Sequence, residues 1–226
     1  LTSSPYDWLE ASFFYTNIQD KPYPFYEYQD YKDKGFNFKV RLKEEGVFPA
    51  LAIGINDIAG TGYYSSEYIV ASYGLDNIDF HLGLGWGTLN GSDNAIRNPL
   101  IDLNNSFANR PKDYAQGLGG QFQASRYFSG KDASPFFGIS YSLNEKTLIK
   151  IEKDTTSTIQ KIEYDIPNND YSFGIEYSFN ENFLLGLSYE RGNFASLKFL
   201  YKSNQKNSYK KYEYQSSEVS KEETKY

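Results

Sequence analysis

Residues 35–43 read GFNFKVRLK and alternate strictly between apolar and polar side chains. The apolar positions are Phe36, Phe38, Val40 and Leu42, and polar side chains fill the positions between them. A repeat of two residues puts successive side chains on opposite faces of a β-strand. The stretch therefore predicts a strand with one apolar face and one polar face.

The same alternation recurs along most of the chain. It is found at residues 78–87 (IDFHLGLGWG), 171–179 (YSFGIEYSF), 183–192 (FLLGLSYERG) and 194–202 (FASLKFLYK). Many of these runs are about ten residues long, which is the length that a tilted strand needs to cross a bilayer. No stretch of helical periodicity competes with them, so the sequence predicts an all-β chain of hairpins.

The connections between these runs differ in length. Short turns are predicted at residues 45–47, 75–77, 144–146, 180–182 and 191–193, and longer polar segments at 18–34, 58–65, 89–133 and 154–168. Short and long connections alternate if residues 121–128 (QFQASRYF) belong to a loop, as in bacterial outer-membrane barrels. We therefore predict an antiparallel up-and-down transmembrane β-barrel of about ten strands, with twelve as the alternative. Residues 1–204 would form it, and residues 205–226 would be a polar extension or the start of missing chain.

The composition limits the other function classes. The 226 residues carry a net charge of −6, which disfavours a nucleic-acid partner. The chain has no cysteine, which removes disulfides and cysteine-based metal sites. No run approaches 18 apolar residues, so no transmembrane helix is predicted.

Alternation alone does not say which face points outward. In a soluble sandwich or lipocalin-like barrel the apolar face would form the core. Two features favour a membrane barrel instead. Gly83, Gly85 and Gly87 share the polar face, where small residues suit a narrow interior. Aromatic residues gather near strand ends, as interfacial girdles do: Tyr15, Tyr68, Tyr141, Tyr177, Tyr189 and Tyr201.

Four segments carry a resemblance to a known family. They are residues 33–72 (DKGFNFKVRLKEEGVFPALAIGINDIAGTGYYSSEYIVAS), 79–91 (DFHLGLGWGTLNG), 4–18 (SPYDWLEASFFYTNI) and 127–141 (YFSGKDASPFFGISY). The chain resembles the YjbH-like (GfcD-like) outer-membrane proteins of bacterial exopolysaccharide and capsule systems. The likeness covers roughly residues 5–155, with only the hairpin pattern beyond. Family members are typically much longer, so we expect a domain, fragment or truncated version.

The resemblance implies a location and a role. It implies an outer-membrane β-barrel, in contact with membrane lipid, that assists export or assembly of exopolysaccharide or capsule. It also implies small periplasmic and lipoprotein partners from the same export system. It transfers no catalytic residue, cofactor or metal, so we expect a non-enzymatic channel or scaffold.

Residues 57–72 (DIAGTGYYSSEYIVAS) contain a glycine pair with the spacing that opens a phosphate-binding loop. A dinucleotide fingerprint needs a third glycine three positions after Gly62 and then a helix. Ser65 stands at that position, and the residues after it read as a strand. The segment instead predicts a turn at the barrel rim in which Gly60 and Gly62 take positive φ.

Charged residues on the polar faces are the candidate contacts with polysaccharide. Lys39, Arg41 and Lys43 form a basic ladder on one strand. The ladder would either line a path for an acidic polysaccharide or pair across the lumen with acidic residues of other strands. We favour pairing, and the predicted partners are Glu152, Glu176 and Glu190.

His81, the single histidine, shares the polar face with Asp79. It is a candidate base or ligand, although a hydrogen-bonded lumen residue is the simpler interpretation. It supports the alternative of an outer-membrane enzyme that modifies glycan or lipid; a soluble sugar-binding β-sandwich is the other alternative. Residues 89–106 lack the calcium-loop pattern and predict a solvated loop, with sugar contact as the alternative.

Overall fold

The computed structural model describes residues 1–23, 26–60, 62–111, 122–157 and 169–203. Within that part, three short 3-10 helices accompany twelve β-strands, and no helix is long and apolar enough to cross a membrane. The helices are Pro99–Asp102, Asn105–Ala108 and Ala124–Arg126. The strands are β1 (Thr2–Tyr6), β2 (Leu9–Tyr23), β3 (Tyr26–Lys43), β4 (Ala50–Ile58), β5 (Ser66–Leu75), β6 (Ile78–Gly87), β7 (Ile96–Arg97), β8 (Asp132–Asn144), β9 (Thr147–Lys153), β10 (Tyr171–Ser178), β11 (Phe183–Glu190) and β12 (Phe194–Tyr201).

All strands except β7 form one antiparallel up-and-down sheet, in which each strand pairs with its neighbours in the chain. The two-residue strand β7 pairs with β8 beside this path. Within the described residues β1 and β12 are the two edges, and no pairing between them closes the sheet. The predicted all-β antiparallel architecture is confirmed. The described strands number twelve when β7 is counted, and eleven of them form the continuous up-and-down path. Residues 205–226, predicted to be an extension, lie outside the described part.

Up-and-down order puts successive connections at opposite ends of the sheet. We call the end with the β3–β4, β5–β6, β8–β9 and β10–β11 connections the turn end, and the opposite end the loop end. Asn144 and Asn180 each start a connection at the turn end, where the side-chain oxygen accepts two backbone N–H groups. Asp76 takes a φ of 51°, a left-handed conformation that aspartate tolerates in tight turns. These predicted turns are confirmed.

The predicted polar loop at 18–34 is wrong. Strand β2 continues to Tyr23 and β3 begins at Tyr26, and the backbone pairing reaches the Ile18–Tyr31 pair before its register shifts. The ladder bonds are made by backbone groups, so polar side chains do not by themselves end a strand. The interpretation of residues 121–128 as loop is confirmed for the described residues 122–128, which contain a 3-10 helix and no strand.

Burial in the sheet is the reverse of that in a soluble β-sandwich. In the described part, the buried hydrophobic residues are only Ala52, Trp86 and Ala133, whereas twelve polar or charged residues are buried. Side chains on the apolar face stay exposed, and no second sheet of the described residues covers them: Phe36, Phe38, Leu42, Phe80, Leu82, Phe173, Ile175, Leu187, Leu197 and Phe199. Away from the loop end, the packed side of this sheet is therefore the polar side. At that end Glu67 and Trp86 are also buried, although they share the face of Leu82.

Candidate functional site on the polar face

The sheet register gathers the polar faces of neighbouring strands. In the register Lys39 of β3 lies opposite Gly54 of β4, and Gly54 lies opposite Tyr68 of β5. In the same way His81 of β6 lies opposite Gly138 of β8, and Gly138 lies opposite Glu152 of β9. These are two separate rows, because Tyr68 pairs with Gly85 and His81 pairs with Ser72, but alternation puts both rows on one face. More than a hundred residues of sequence separate Lys39 from Glu152.

A cavity of ≈ 460 Å³ lies on this face. Lys39 and Glu152 both line it, although they stand on strands five positions apart in the sheet. A flat sheet would separate such strands by roughly 24 Å. The sheet therefore curves around its polar face. The other polar or aromatic lining residues include Asn56, Tyr68, Ser72, His81, Phe136, Lys153, Asp154 and Thr155.

Two aromatic rings of the cavity lie across glycines. A Cβ added at Gly54 would come within 2.2 Å of the ring of Tyr68, and one added at Gly83 within 2.3 Å of the ring of Phe136. The two rings meet edge to face, with centroids 6.3 Å apart. The glycines are thus required because an aromatic ring occupies the space of their missing side chain. Alternation predicts Gly83 on this face, but the prediction that Tyr68 belongs to an interfacial girdle is wrong, because its ring lines the polar-face cavity. The Tyr68–Phe136 pair follows from the register and not from the local sequence.

His81 lies in the cavity wall with a defined partner. Its Nδ1 is 2.8 Å from the hydroxyl oxygen of Ser72 on the neighbouring strand. Asp79 stands two positions along the same strand, on the same face. No group of three or more metal-ligating side chains occurs in the part of the chain that is described. The geometry gives His81 a hydrogen bond within the polar face, in line with the simpler interpretation of this residue.

The three cations of the basic ladder have different surroundings. Arg41 makes an ion pair of 2.9 Å with Glu44, just beyond the end of its own strand. The Nζ of Lys43 lies 4.5 Å from the ring centroid of Phe48. Both residues are close to the turn end and use groups of the β3–β4 connection. Of the three cations, Lys39 alone is a lining residue of the cavity.

Two of the predicted acidic residues have nearby partners on β9, β11 and β12. Glu176 pairs with Lys150 and with Lys198, both at 2.9 Å. Glu190 accepts a hydrogen bond of 2.6 Å from Ser188. The predicted pairing of Glu176 and Glu190 with Arg41 and Lys43 is therefore wrong, since each of these groups is satisfied closer by. Both lysines that reach Glu176 occupy polar positions of alternating runs, but only the register reveals their proximity.

A buried ion pair fixes the long β6–β8 connection at the loop end. Glu67 of β5 has no exposed surface, and Arg110 binds both of its carboxylate oxygens, at 2.7 and 2.9 Å. The backbone N–H of Phe128 donates to the same carboxylate at 2.9 Å. Arg110 also donates to the carbonyl oxygen of Arg126 at 2.8 Å. We call residues 88–111 and 122–131 the loop cap.

Two further buried side chains organise the loop cap. Trp86 lies opposite Glu67 in the sheet register and packs edge to face against Phe128, with centroids 5.3 Å apart. Asn98 has no exposed surface and accepts a hydrogen bond from the backbone N–H of Leu100. Its side-chain nitrogen donates to three loop carbonyls, those of Phe107, Phe128 and Gly130. The prediction of a plain solvated loop at 89–106 is therefore wrong at Asn98 and at buried Ser92.

The loop cap also reaches the cavity. Leu89 is one of the lining residues, and its carbonyl oxygen accepts a hydrogen bond of 2.6 Å from Thr155 after β9. Ser134 of β8 donates to the side-chain oxygen of Asn90 at 2.8 Å. The first residues of the loop cap thus form one end of the cavity.

The two glycines of the β4–β5 connection, Gly60 and Gly62, have different structural roles. Gly62 has a φ of 82°, as predicted. Gly60 does not have positive φ, so that part of the prediction is wrong. A Cβ at Gly60 would instead come within 2.1 Å of a carboxylate oxygen of Asp57, whose other oxygen accepts the N–H of Tyr64. Gly60 is needed for close approach, which local sequence does not reveal.

Comparison with known proteins gives two matches. A family model described as "Exopolysaccharide biosynthesis protein YbjH" matches residues 1–226. The chain is 36% identical over 195 residues to the "Uncharacterized lipoprotein YjbH" of Escherichia coli (strain K12). This alignment covers 83% of the present chain and 27% of that relative, so the chain spans about a quarter of the relative's length. No solved structure matches the chain.

Proposed function

This chain belongs to the YjbH exopolysaccharide biosynthesis family, and from that membership we propose that it forms an outer-membrane β-barrel that assists export or assembly of exopolysaccharide or capsule. The proposed role is that of a channel or scaffold without catalytic activity. It concerns the part of the protein that this chain represents, because the Escherichia coli relative is much longer.

The reversed burial of the sheet is the observation that carries the proposal. Leu82, Leu197 and Phe199 are 64%, 71% and 67% exposed, and they stand on the apolar face. Water makes such a continuous apolar surface costly, whereas acyl chains would cover it. Outward apolar and inward polar residues that alternate along each strand are typical of a transmembrane barrel.

The sheet edges supply a second argument. Backbone N–H and C=O groups in hydrocarbon must be hydrogen-bonded within the protein. In the described part of the chain, β1 and β12 have free edges. A sheet that spans the membrane would therefore close, either on itself or through further strands.

The polar face supports contact with polysaccharide. It carries a cavity lined by aromatic, amide, hydroxyl and charged groups, which is the mixture that binds hydroxyl-rich ligands. The name of the relative contains the word lipoprotein, which supports a location in the bacterial cell envelope. The proposed partners are outer-membrane lipid, the exopolysaccharide, and periplasmic and lipoprotein components of the same export system.

The proposal is tested in the bacterium and with purified protein. We expect deletion of the gene to reduce surface polysaccharide, and expect the intact protein to fractionate with the outer membrane and to migrate in a heat-modifiable manner on gels. Conductance in planar bilayers would support an open channel, whereas a sealed barrel that is still required for the polymer would support a scaffold. A protein that remains in the aqueous phase without detergent would contradict the proposal.

A further inference from the structure

The paired rings of Tyr68 and Phe136 are the most specific feature of the polar-face cavity. Gly54 and Gly83 make room for them, so that each ring lies along the sheet rather than standing upright from it. Aromatic faces in such a position offer flat apolar surface in a cavity that polar and charged side chains also line. The CH-bearing face of a pyranose ring matches that surface, because it is flat and apolar while its hydroxyl groups point outward.

Hydrogen-bonding groups surround the ring pair. The amide of Asn56, the hydroxyl of Ser72 and the imidazole of His81 all line the same cavity. Asn56 and His81 each bond to a serine of β5, which fixes their orientation. Pre-oriented polar groups beside an apolar platform are the usual means by which a pocket orients a ligand rich in hydroxyls.

The charges of the cavity distinguish between classes of saccharide. Lys39 and Lys153 line it together with Glu152 and Asp154, so two cations face two carboxylates. A polyanion would need an excess of positive charge. The cations that would supply it, Arg41 and Lys43, are not lining residues and contact the β3–β4 connection instead.

We propose that Tyr68 and Phe136 form a stacking subsite for an uncharged pyranose unit of a polysaccharide chain. The inference rests on the proposed function and adds to it the position of the contact and the chemical class of the sugar. It assigns Tyr68 the role of a platform, with His81, Asn56 and Lys39 as hydrogen-bonding groups at its margin.

Saturation-transfer NMR on the purified full-length protein in detergent micelles tests this subsite. The probes are linear tetrasaccharides of glucose, galactose and mannose, each measured singly, and tetragalacturonate as the acidic counterpart. We expect saturation of ring CH protons in at least one neutral tetrasaccharide and weaker binding of tetragalacturonate. Tyr68→Ala should weaken neutral binding about tenfold or more, because the stacking surface is removed.

Glycine substitutions separate the platform from general disruption. Gly54→Ala should also weaken binding, because its Cβ would displace the Tyr68 ring while every lining side chain is kept. The matched control is Gly174→Ala, where a Cβ meets nothing closer than 3.6 Å and which is not a lining residue of the cavity. Tyr73→Ala, on the opposite face of the same strand, controls for the loss of a tyrosine. Both controls should bind as the wild type does.

The outcomes separate the subsite from the proposed function. The subsite is overturned if no neutral tetrasaccharide binds, if tetragalacturonate binds more tightly, or if folded Tyr68→Ala and Gly54→Ala bind like the wild type. In each case a gene deletion that still abolishes the polymer would leave the proposed function intact. If deletion leaves the polymer unchanged, the proposed function fails even where a neutral tetrasaccharide binds.

Discussion

The loop cap and the hairpins of β10–β12 differ in how far their side chains are buried. At the loop cap, Glu67, Trp86 and Asn98 have no exposed surface and are held by ion pairs, hydrogen bonds and ring contacts. In the hairpins, Phe173 and Leu187 are more than half exposed, although they occupy the apolar face of regular strands. The same chain thus contains a region with a packed interior and a region without one.

The difference in burial indicates which interactions stabilise each region. The loop cap carries its own buried network, so it is expected to keep its structure in detergent, lipid or water. The hairpins expose large apolar surface and depend on the medium that covers it. Mutations in the loop cap should therefore change the free energy of unfolding strongly, and mutations of charged residues in the hairpins only weakly.

Arg110→Ala should have the largest effect. It leaves the Glu67 carboxylate buried without its cation, and breaking a buried pair in this way costs about 3–5 kcal/mol. The measurement is urea unfolding of the protein in detergent micelles. The matched control is Arg97→Ala, whose pair with Asp102 is mostly exposed and should contribute less than about 1 kcal/mol. Equal destabilisation by the two variants would contradict the packed character of the loop cap.

Asn98→Ala should follow, with a loss of about 2–3 kcal/mol. It leaves the carbonyls of Phe128 and Gly130 and the N–H of Leu100 without their hydrogen-bond partner. Asn104→Ala is the comparison, because Asn104 caps a neighbouring 3-10 helix but is exposed, so about 1 kcal/mol is expected. Proteolysis of the β6–β8 connection, compared between the variants, would show whether the loss is local. An Asn98 variant as stable and as resistant as the wild type would mean that the network is dispensable.

Lys198→Ala in the hairpins should have the smallest effect, less than about 1 kcal/mol. Lys198 is half exposed, and Glu176 would keep its second partner, Lys150. A double-mutant cycle with Lys150→Ala checks this, since only the double variant removes both of these cations from Glu176. A single-variant loss as large as that of Arg110→Ala would remove the distinction between the two regions.

Periodicity predicted the parts of the fold that repeat. The run at 35–43 belongs to β3, the turns at 144–146 and 180–182 are capped by their asparagines, and residues 122–128 lie in a loop. Alternation fixes which side chains share a face, and asparagine fixes a turn through its own backbone contacts. These are local properties, and for that reason the sequence reveals them.

Contacts between distant segments could not be predicted in this way. Arg110 lies 43 residues from Glu67, and nothing in its neighbourhood distinguishes it from a solvated arginine. The sequence predicts positive φ for Gly60 and a small residue facing a narrow interior at Gly83. In the structure each glycine makes room for another side chain, Asp57 at Gly60 and Phe136 at Gly83. The family resemblance was confirmed along the whole chain, including the part after residue 155 where only the hairpin pattern supported it.

The central claim is that the apolar face of this sheet meets lipid and its polar face meets water. The chain has no cysteine, so spin labels can be placed at single introduced cysteines at positions 184–189 of β11 in protein reconstituted in bilayers. Collision rates with lipid-soluble oxygen should peak at positions 185, 187 and 189, and those with a water-soluble nickel chelate at 184, 186 and 188. Equal access of the nickel chelate to both sets of positions, or the opposite phase, would contradict the account.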